Sequence, residues 1–386
     1  MRPRIGGLLA DMEEPTLKWA ELSDDEHIEV SLSWFRNLQR KGGDGGIPAK
    51  FRLADLPGRN LYPSYPETSG YILSTILAAQ EMGFGDMREM SRLIKSYLLK
   101  QQLDKGGFRG GHARMRNNGR ASIFNSGQIL LGLVAYHNSN PNDETVVESI
   151  RRCVEWGRKN VKDGKWNEEY TFGGQRAYYA RSTMGFLRGS VAVGDKEACQ
   201  RFRENYVSIY ESYFDDPKSL VGWGFKADVV PLHTIAYTLR GMLECGLVLE
   251  DESYMQEIAD FCWQIIKGAK CFNIAGIPYC SYSPGLNPVA EAICPTGLAQ
   301  LAIVLWKLED LGIGEGEFEN AAKSMTNVVK QTQIRGSRNI LLDGAVPGSW
   351  PVNGPYQPYD LVNWSVKFLL DCLLLKKGFT PKKLIG

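Results

Sequence analysis

Six segments of this chain share one pattern, and that repeat constrains the fold more than any other feature. They read "PETSGYILSTILAA", "IFNSGQILLGLVAY", "YARSTMGFLRGSVA", "PLHTIAYTLRGMLE", "ICPTGLAQLAIVLW" and "DLVNWSVKFLLDCL". Their aligned positions Ser69, Ser126, Thr183, Thr234, Thr296 and Asn363 are residues that cap helices well, so each is expected to be an N-cap. The residues that follow are apolar nearly all round the helix, as in buried helices. Successive copies lie roughly 50 to 70 residues apart, the span of a helix pair with its loops.

Polar, amphipathic segments lie between the copies: "DEHIEVSLSWFRNLQ", "DMREMSRLIKSYLLKQQ", "ETVVESIRRCVEWGRKN", "KEACQRFRENYVSIYESYF", "SYMQEIADFCWQIIKGA" and "EFENAAKSMTNVVKQTQ". Apolar residues recur in them at spacings of three and four, the mark of a helix with one buried face. Six outer helices alternating with six inner ones predict an all-α fold, an (α/α)6 toroid. One domain accounts for residues 1–386, with a lead-in over 1–22 and a C-terminal tail over 376–386.

In such a ring all inner helices start at the same end. Their N-termini present unpaired N–H groups and partial positive charge, which favour an anionic or hydroxyl-rich ligand. The loops that lead into them ("DKGGFRGGHARMRNNGRAS", "KDGKWNEEYTFGGQRAYYAR", "VGWGFKADVVPLH", "IAGIPYCSYSPGLNPVAEAICP", "LLDGAVPGSWPVNGPYQPYDLVNW") are rich in Gly, Pro, Trp and Tyr. Long loops on a rigid scaffold tend to carry function. Aromatic faces with interspersed amides and charges suit sugar rings. The plainer alternative is that these turns pack between helices.

Net charge is +1 over 386 residues, which leaves no basic footprint for nucleic acid. The longest apolar runs are too short to cross a bilayer, and "MRPRIGGLLADMEEP" makes a poor secretory signal, so a cytoplasmic protein without membrane insertion is expected. The eight cysteines form no CxxC pair and fall largely in helical patterns, where they read as buried reduced thiols. The four histidines show no metal-ligand spacing, and neither metal nor cofactor is expected.

Glu67 precedes Ser69 at a helix start. It can complement the helix dipole there or act as a general acid. His233 occupies the corresponding place in the fourth copy, as a capping group or a mouth residue. Arg181 does so in the third, where it requires an anion: Glu67, Asp360 or a ligand carboxylate. Candidate contacts to a sugar are Tyr62, Tyr65, Asn125, Trp166, Tyr179, Trp223, Tyr282, Asp343, Trp350, Tyr356 and Asn363. Several of these, with Asp228, have ordinary turn or capping roles as the alternative.

The Gly-aromatic turns "KGGFRGG", "DGKW" and "VGWGF" resemble the terpenoid cyclase and protein prenyltransferase toroids. The Asp-x-Asp-Asp motif of protonating cyclases is missing, and His233 lacks partners for a prenyltransferase zinc set. More specifically, "PSYPETSGYIL", "FNSGQILLGL", "HTIAYTLRGMLECG" and "VPGSWPVNGPYQPYDLVNWSVKFLLD" resemble toroid proteins associated with bacterial and archaeal surface-polysaccharide biosynthesis. Members carry prenyltransferase-like or uronate epimerase-like names. That resemblance implies an oligo- or polysaccharide substrate.

Three functions follow as expectations. The first is glycoside hydrolysis of an acidic glycan by a carboxylate pair, Glu67 and Asp360, brought together where the ring closes, with Asp343 in reserve. The second is uronate C5 epimerisation or elimination, with Arg181, Asn125 and His233 neutralising the substrate carboxylate and Tyr65, Tyr179 or His233 as base. The third is a glycan-binding toroid without turnover. A cyclase-like protein ranks below these.

Overall fold

The computed structural model of the protein describes residues 23–112, 114, 119–216 and 218–386. The lead-in over 1–22 lies outside them. The first helix shows how local sequence sets an outer element. Helix α1 (Asp24–Gly42) starts at Ser23, which forms a reciprocal capping box with Glu26, and ends at Gly43 with φ 74°. Its buried stripe includes Ile28, Leu32, Phe35 and Gln39, one side of a 3.6-residue repeat. Helices α3 (Arg88–Leu99), α5 (Glu144–Lys159), α7 (Lys196–Tyr213), α9 (Met255–Ile266) and α11 (Glu317–Gln331) are amphipathic in the same way.

The six apolar repeats form α2 (Pro66–Glu81), α4 (Ile123–Ser139), α6 (Ala180–Val193), α8 (Leu232–Leu249), α10 (Pro295–Asp310) and α12 (Asn363–Lys376). Each packs on the next, and α12 packs back on α2, so the inner ring closes. The fold is the expected (α/α)6 toroid. All eight cysteines are free, and all but Cys199 are buried. Among the described residues no helix is long and apolar enough to cross a membrane.

Glycines set the spacing of the inner ring. A Cβ on Gly132 would lie 2.0 Å from the Gly70 carbonyl, and one on Gly185 would lie 2.0 Å from that of Gly127. Gly241 faces the Arg181 backbone at 2.3 Å, and Gly297 faces that of His233 at 2.7 Å. Neighbouring inner helices therefore touch backbone to backbone, and at Arg181 and His233 the contact falls in a first turn, which holds the side chains there in fixed positions.

The expected caps sit inside the helices rather than at their boundaries. The capping positions are Tyr65, Ser122, Tyr179, Pro231, Cys294 and Val362. The repeated hydroxyls have other duties: Ser69 accepts from the Ile47 N–H and Ser126 from the Phe108 N–H, both at 2.9 Å. They bind the incoming loop to the helix, which satisfies a buried N–H. Asn363, the first residue of α12, donates to the Pro48 carbonyl and the Thr68 hydroxyl at 2.9 and 2.8 Å.

Short antiparallel pairings fasten the loops at this end. Strand β1 (Lys50–Arg52) pairs with β6 (Asp360–Val362), with Arg52 opposite Asp360, and joins the last loop to the first. The hairpin β2–β3 (Val161–Lys162, Lys165–Trp166) turns through Asp163 and Gly164 at positive φ. Strand β4 (Val230–Pro231) pairs with β5 (Ser281–Tyr282). At the opposite end the C-terminal segment folds over the ring, and the Lys307 ammonium donates to the carbonyls of Pro381 and Leu384.

Candidate active site

A cavity of about 760 Å³ opens at the end where the inner helices begin, within the range of small-ligand sites. Its wall comes from residues 49–71, 110–125, 169–179, 225–237 and 356–364, the loops and first turns of five of the six inner helices. Glu67, His233, Tyr62, Tyr65, Asn125, Tyr179 and Tyr356 line it as expected. Sequence reading missed Lys50, Tyr71, His112, Arg114, Arg120, Phe124, Glu169, Tyr178, Phe225, Tyr237 and Trp364.

Glu67 lies in the first turn of α2, directly after Pro66. Burial raises its carboxyl from 4.5 to about 7, against the lowering pull of the Tyr65 hydroxyl and the Arg181 charge. A carboxyl poised there can give or take a proton near neutral pH. Burial drives the Tyr65 phenol far above its ordinary range, and the negative Glu67 adds to this. Tyr179 is raised to about 12, again chiefly by burial. Both phenols are therefore hydrogen-bond donors at neutral pH rather than the bases anticipated.

His233 comes from the first turn of α8, which stands opposite α2 in the inner ring. Burial and the Arg181 charge hold its imidazole neutral, down to about 3. The Gln300 amide donates to His233 Nδ1 at 2.7 Å and to the Thr296 carbonyl at 3.3 Å. Both amide hydrogens are thus used, Nδ1 is an acceptor, and the imidazole proton resides on Nε2. Tyr237 and Tyr356 flank the ring at 4.1 and 5.3 Å between centroids.

One wall is cationic. Lys50 and the Arg114 guanidinium each lie 4.7 Å from the centre of the Tyr62 ring. His112 meets Tyr62 and Tyr65 edge-on at 5.7 and 5.8 Å. Its imidazole is lowered to about 4 by burial and by Lys50 and Arg114. Arg120 adds a further charge, and among the described residues Glu169 is the one carboxylate besides Glu67 on the wall. The facing wall is aromatic: Phe124 contacts Tyr178, Tyr179 and Tyr237 with centroids 5.5, 6.0 and 5.5 Å away.

The remaining expected residues fall elsewhere. Asp360 does not line the cavity; it is buried in ion pairs with Lys50 at 2.6 Å and Arg52 at 3.5 Å across the β1–β6 pairing. Arg181 lies beneath the floor, its guanidinium 5.0 Å from the Tyr237 ring centre and 5.5 Å from that of Phe368. Trp166 packs on Phe186 and Phe202, between an inner and an outer helix, and Trp223 packs on Phe214 and Phe261, between two outer helices. Tyr282 is buried and accepts from the Tyr279 N–H. Trp350 pairs its backbone with Ile293. Asp343 adjoins Gly344, which packs on α1, and Asn363 ties loops together as described. Among the described residues, no group of three or more His, Cys, Asp or Glu side chains could hold a metal ion.

No family model matches the chain, and no curated protein matches it in sequence. Solved structures do match in fold. An unsaturated glucuronyl hydrolase specific for heparin aligns over 91% of this chain and 96% of its own, at 12% identity and a TM-score of 0.69. A sugar epimerase from a ruminal bacterium aligns over 97% and 99%, at 13% identity and a TM-score of 0.69. The cellobiose 2-epimerase of Bacillus thermoamylovorans aligns over 97% and 99%, at 11% identity and a TM-score of 0.64.

Proposed function

We propose that this protein is a carbohydrate-active enzyme that transfers a proton at C5 of a uronate in an acidic oligo- or polysaccharide, as an epimerase or lyase. The observation that carries this reading is the placement of Glu67 and His233 on opposite inner helices, both facing one cavity with a cationic wall. Fold neighbours that act on glucuronyl groups and epimerise sugars support the substrate class.

Glu67 takes the C5 proton, and the C–H electron pair moves into the adjacent carboxylate as an enolate. Lys50, Arg114 and Arg120 neutralise that charge, and the His233 Nε2–H donates to the oxygen on which it grows. Return of a proton to the opposite face of C5 from the Tyr237 phenol, which flanks the neutral His233, yields the C5 epimer. The phenolate then regains a proton from solvent as Glu67 releases the one it took. Departure of the C4 substituent instead, its oxygen taking from Glu67 the proton that came off C5, yields an unsaturated uronate and restores the Glu67 carboxylate. Arg181 has no direct part in this step, because Tyr237 separates it from the cavity.

Hydrolysis is a second reading, favoured by one observation: Glu169 stands at the rim of the same cavity as Glu67 and completes a carboxylate pair that Asp360 does not. Incubation with uronate-containing oligosaccharides in D₂O separates the two. Deuterium at C5, or new absorbance near ~232 nm from a conjugated C4–C5 double bond, supports proton transfer; new reducing ends with neither signal overturn it. The acid–base roles differ as well. A Glu67 base makes kcat/KM rise with pH through about 7, whereas a Glu67 acid makes it fall there.

A further inference from the structure

Below the cavity floor the inner ring buries more positive than negative charge. Arg188, Arg240, Lys307 and Lys367 share two carboxylates, Glu244 and Asp371, and Arg181 lies beside them with neither. Glu244 binds Arg188 at 2.5 Å and Lys307 at 2.8 Å, and Asp371 binds Lys367 at 2.5 Å and the Thr75 hydroxyl at 2.7 Å. Arg240 reaches them only at 3.5 and 3.9 Å. Among the described residues no carboxylate comes within ion-pair distance of Arg181.

Arg181 and Arg240 are both fully buried, and none of their guanidinium nitrogens has a hydrogen-bond partner. The two residues are neighbours: Gly241 touches the Arg181 backbone where α6 packs on α8, and the Arg240 charge bears directly on the Arg181 guanidinium. A buried guanidinium needs both acceptors for its N–H groups and a counter-charge, or it costs several kcal/mol. The rings of Tyr237 and Phe368 beside Arg181 supply part of the charge and no planar acceptor. Glu67 cannot supply the rest, since it lies outside ion-pair distance of Arg181.

We propose that the ring interior binds a small monovalent anion, of the size of chloride, between the guanidinium groups of Arg181 and Arg240. The anion accepts their free N–H groups and offsets the excess charge beneath the catalytic floor. It is sealed from the cavity by Tyr71 and Tyr237, so it is a resident of the fold and not a substrate group.

The test compares the full-length protein in sodium gluconate and in sodium chloride or bromide at equal ionic strength. A saturable rise in Tm of roughly 3–6 °C is expected once halide exceeds its Kd about a hundredfold. Arg181→Met is expected to abolish that rise. Should that variant fail to fold, anomalous scattering from wild-type crystals grown in bromide decides the matter. A bromide peak between Arg181 and Arg240 supports the site. Equal Tm in gluconate and halide, or bromide peaks only elsewhere, overturns it and assigns the guanidinium groups to trapped water.

Discussion

Replacing Glu67 with Gln tests the origin of its perturbed acidity without reference to any substrate. The carboxyl ionises near 4.5 in the unfolded chain and near 7 in the folded protein. Below pH 4.5 both states hold the proton and the group contributes no pH dependence. Between 4.5 and 7 the unfolded state releases a proton that the folded state retains, so wild-type stability falls by about 1.4 kcal/mol per pH unit. Above 7 the loss is complete, at about 3 kcal/mol. Gln keeps the shape and never ionises. Glu67→Gln is therefore expected to match wild type at pH 4.5 and to exceed it by about 2–3 kcal/mol at pH 8, while losing turnover. Urea unfolding of both proteins across this range measures the difference. An advantage that is absent at pH 8, or equally large at pH 4.5, refutes burial as the cause of the raised acidity.

Other perturbations address neighbouring parts of the site. Tyr65→Phe removes a donor that favours the ionised Glu67, so the limb of the kcat/KM profile assigned to Glu67 should move to higher pH; an unmoved limb denies that contact. Gln300→Leu frees Nδ1 of His233 and is expected to lower kcat about tenfold or more with KM little changed, which steady-state kinetics resolves. Asp360→Asn leaves Lys50 and Arg52 without their partner and should cost about 2 kcal/mol of stability. Its kcat should stay within a few fold of wild type, whereas a role as catalytic carboxylate would require collapse. Gly132→Ala drives a methyl group to 2.0 Å from the Gly70 carbonyl and is expected to destabilise the fold by about 1–3 kcal/mol on thermal unfolding.

The ring was legible in the sequence because its inner helices are apolar on every face, a pattern with few structural solutions. The cap assignment went wrong because a hydroxyl near a helix start has two uses. Ser69 and Ser126 accept a buried N–H from the preceding loop, three to four residues inside the boundary, and the sequence pattern is the same either way. Glu67 and His233 were legible as cavity residues because the first turn of an inner helix points to the mouth whatever the loops do. Asp360 stands three residues before α12, in a strand, where β1 opposite it determines the partner. Trp166 and Trp223 took the plainer role of filling the layer between helices. Lys50, His112 and Arg114 come together only through folding of two separate loops, so no local spacing announces them.

The ring order supplies what the proposed reaction at carbon requires. With six inner helices, the first and fourth starts oppose one another, so Glu67 and His233 face the cavity from different sides. Their protonation states diverge for one shared reason, burial, which disfavours the charged form of each. A carboxyl becomes more basic and an imidazole less so, which yields a proton acceptor on one wall and a neutral donor on the other. Arg181, beneath both, moderates the first effect and strengthens the second, so its loss should raise the pKa of Glu67 and of His233 together, leaving the carboxyl less ionised and the imidazole more so. Titration of His233 by NMR in Arg181→Met tests this: an imidazole that does not move upward would show that the charge below the floor does not reach the site.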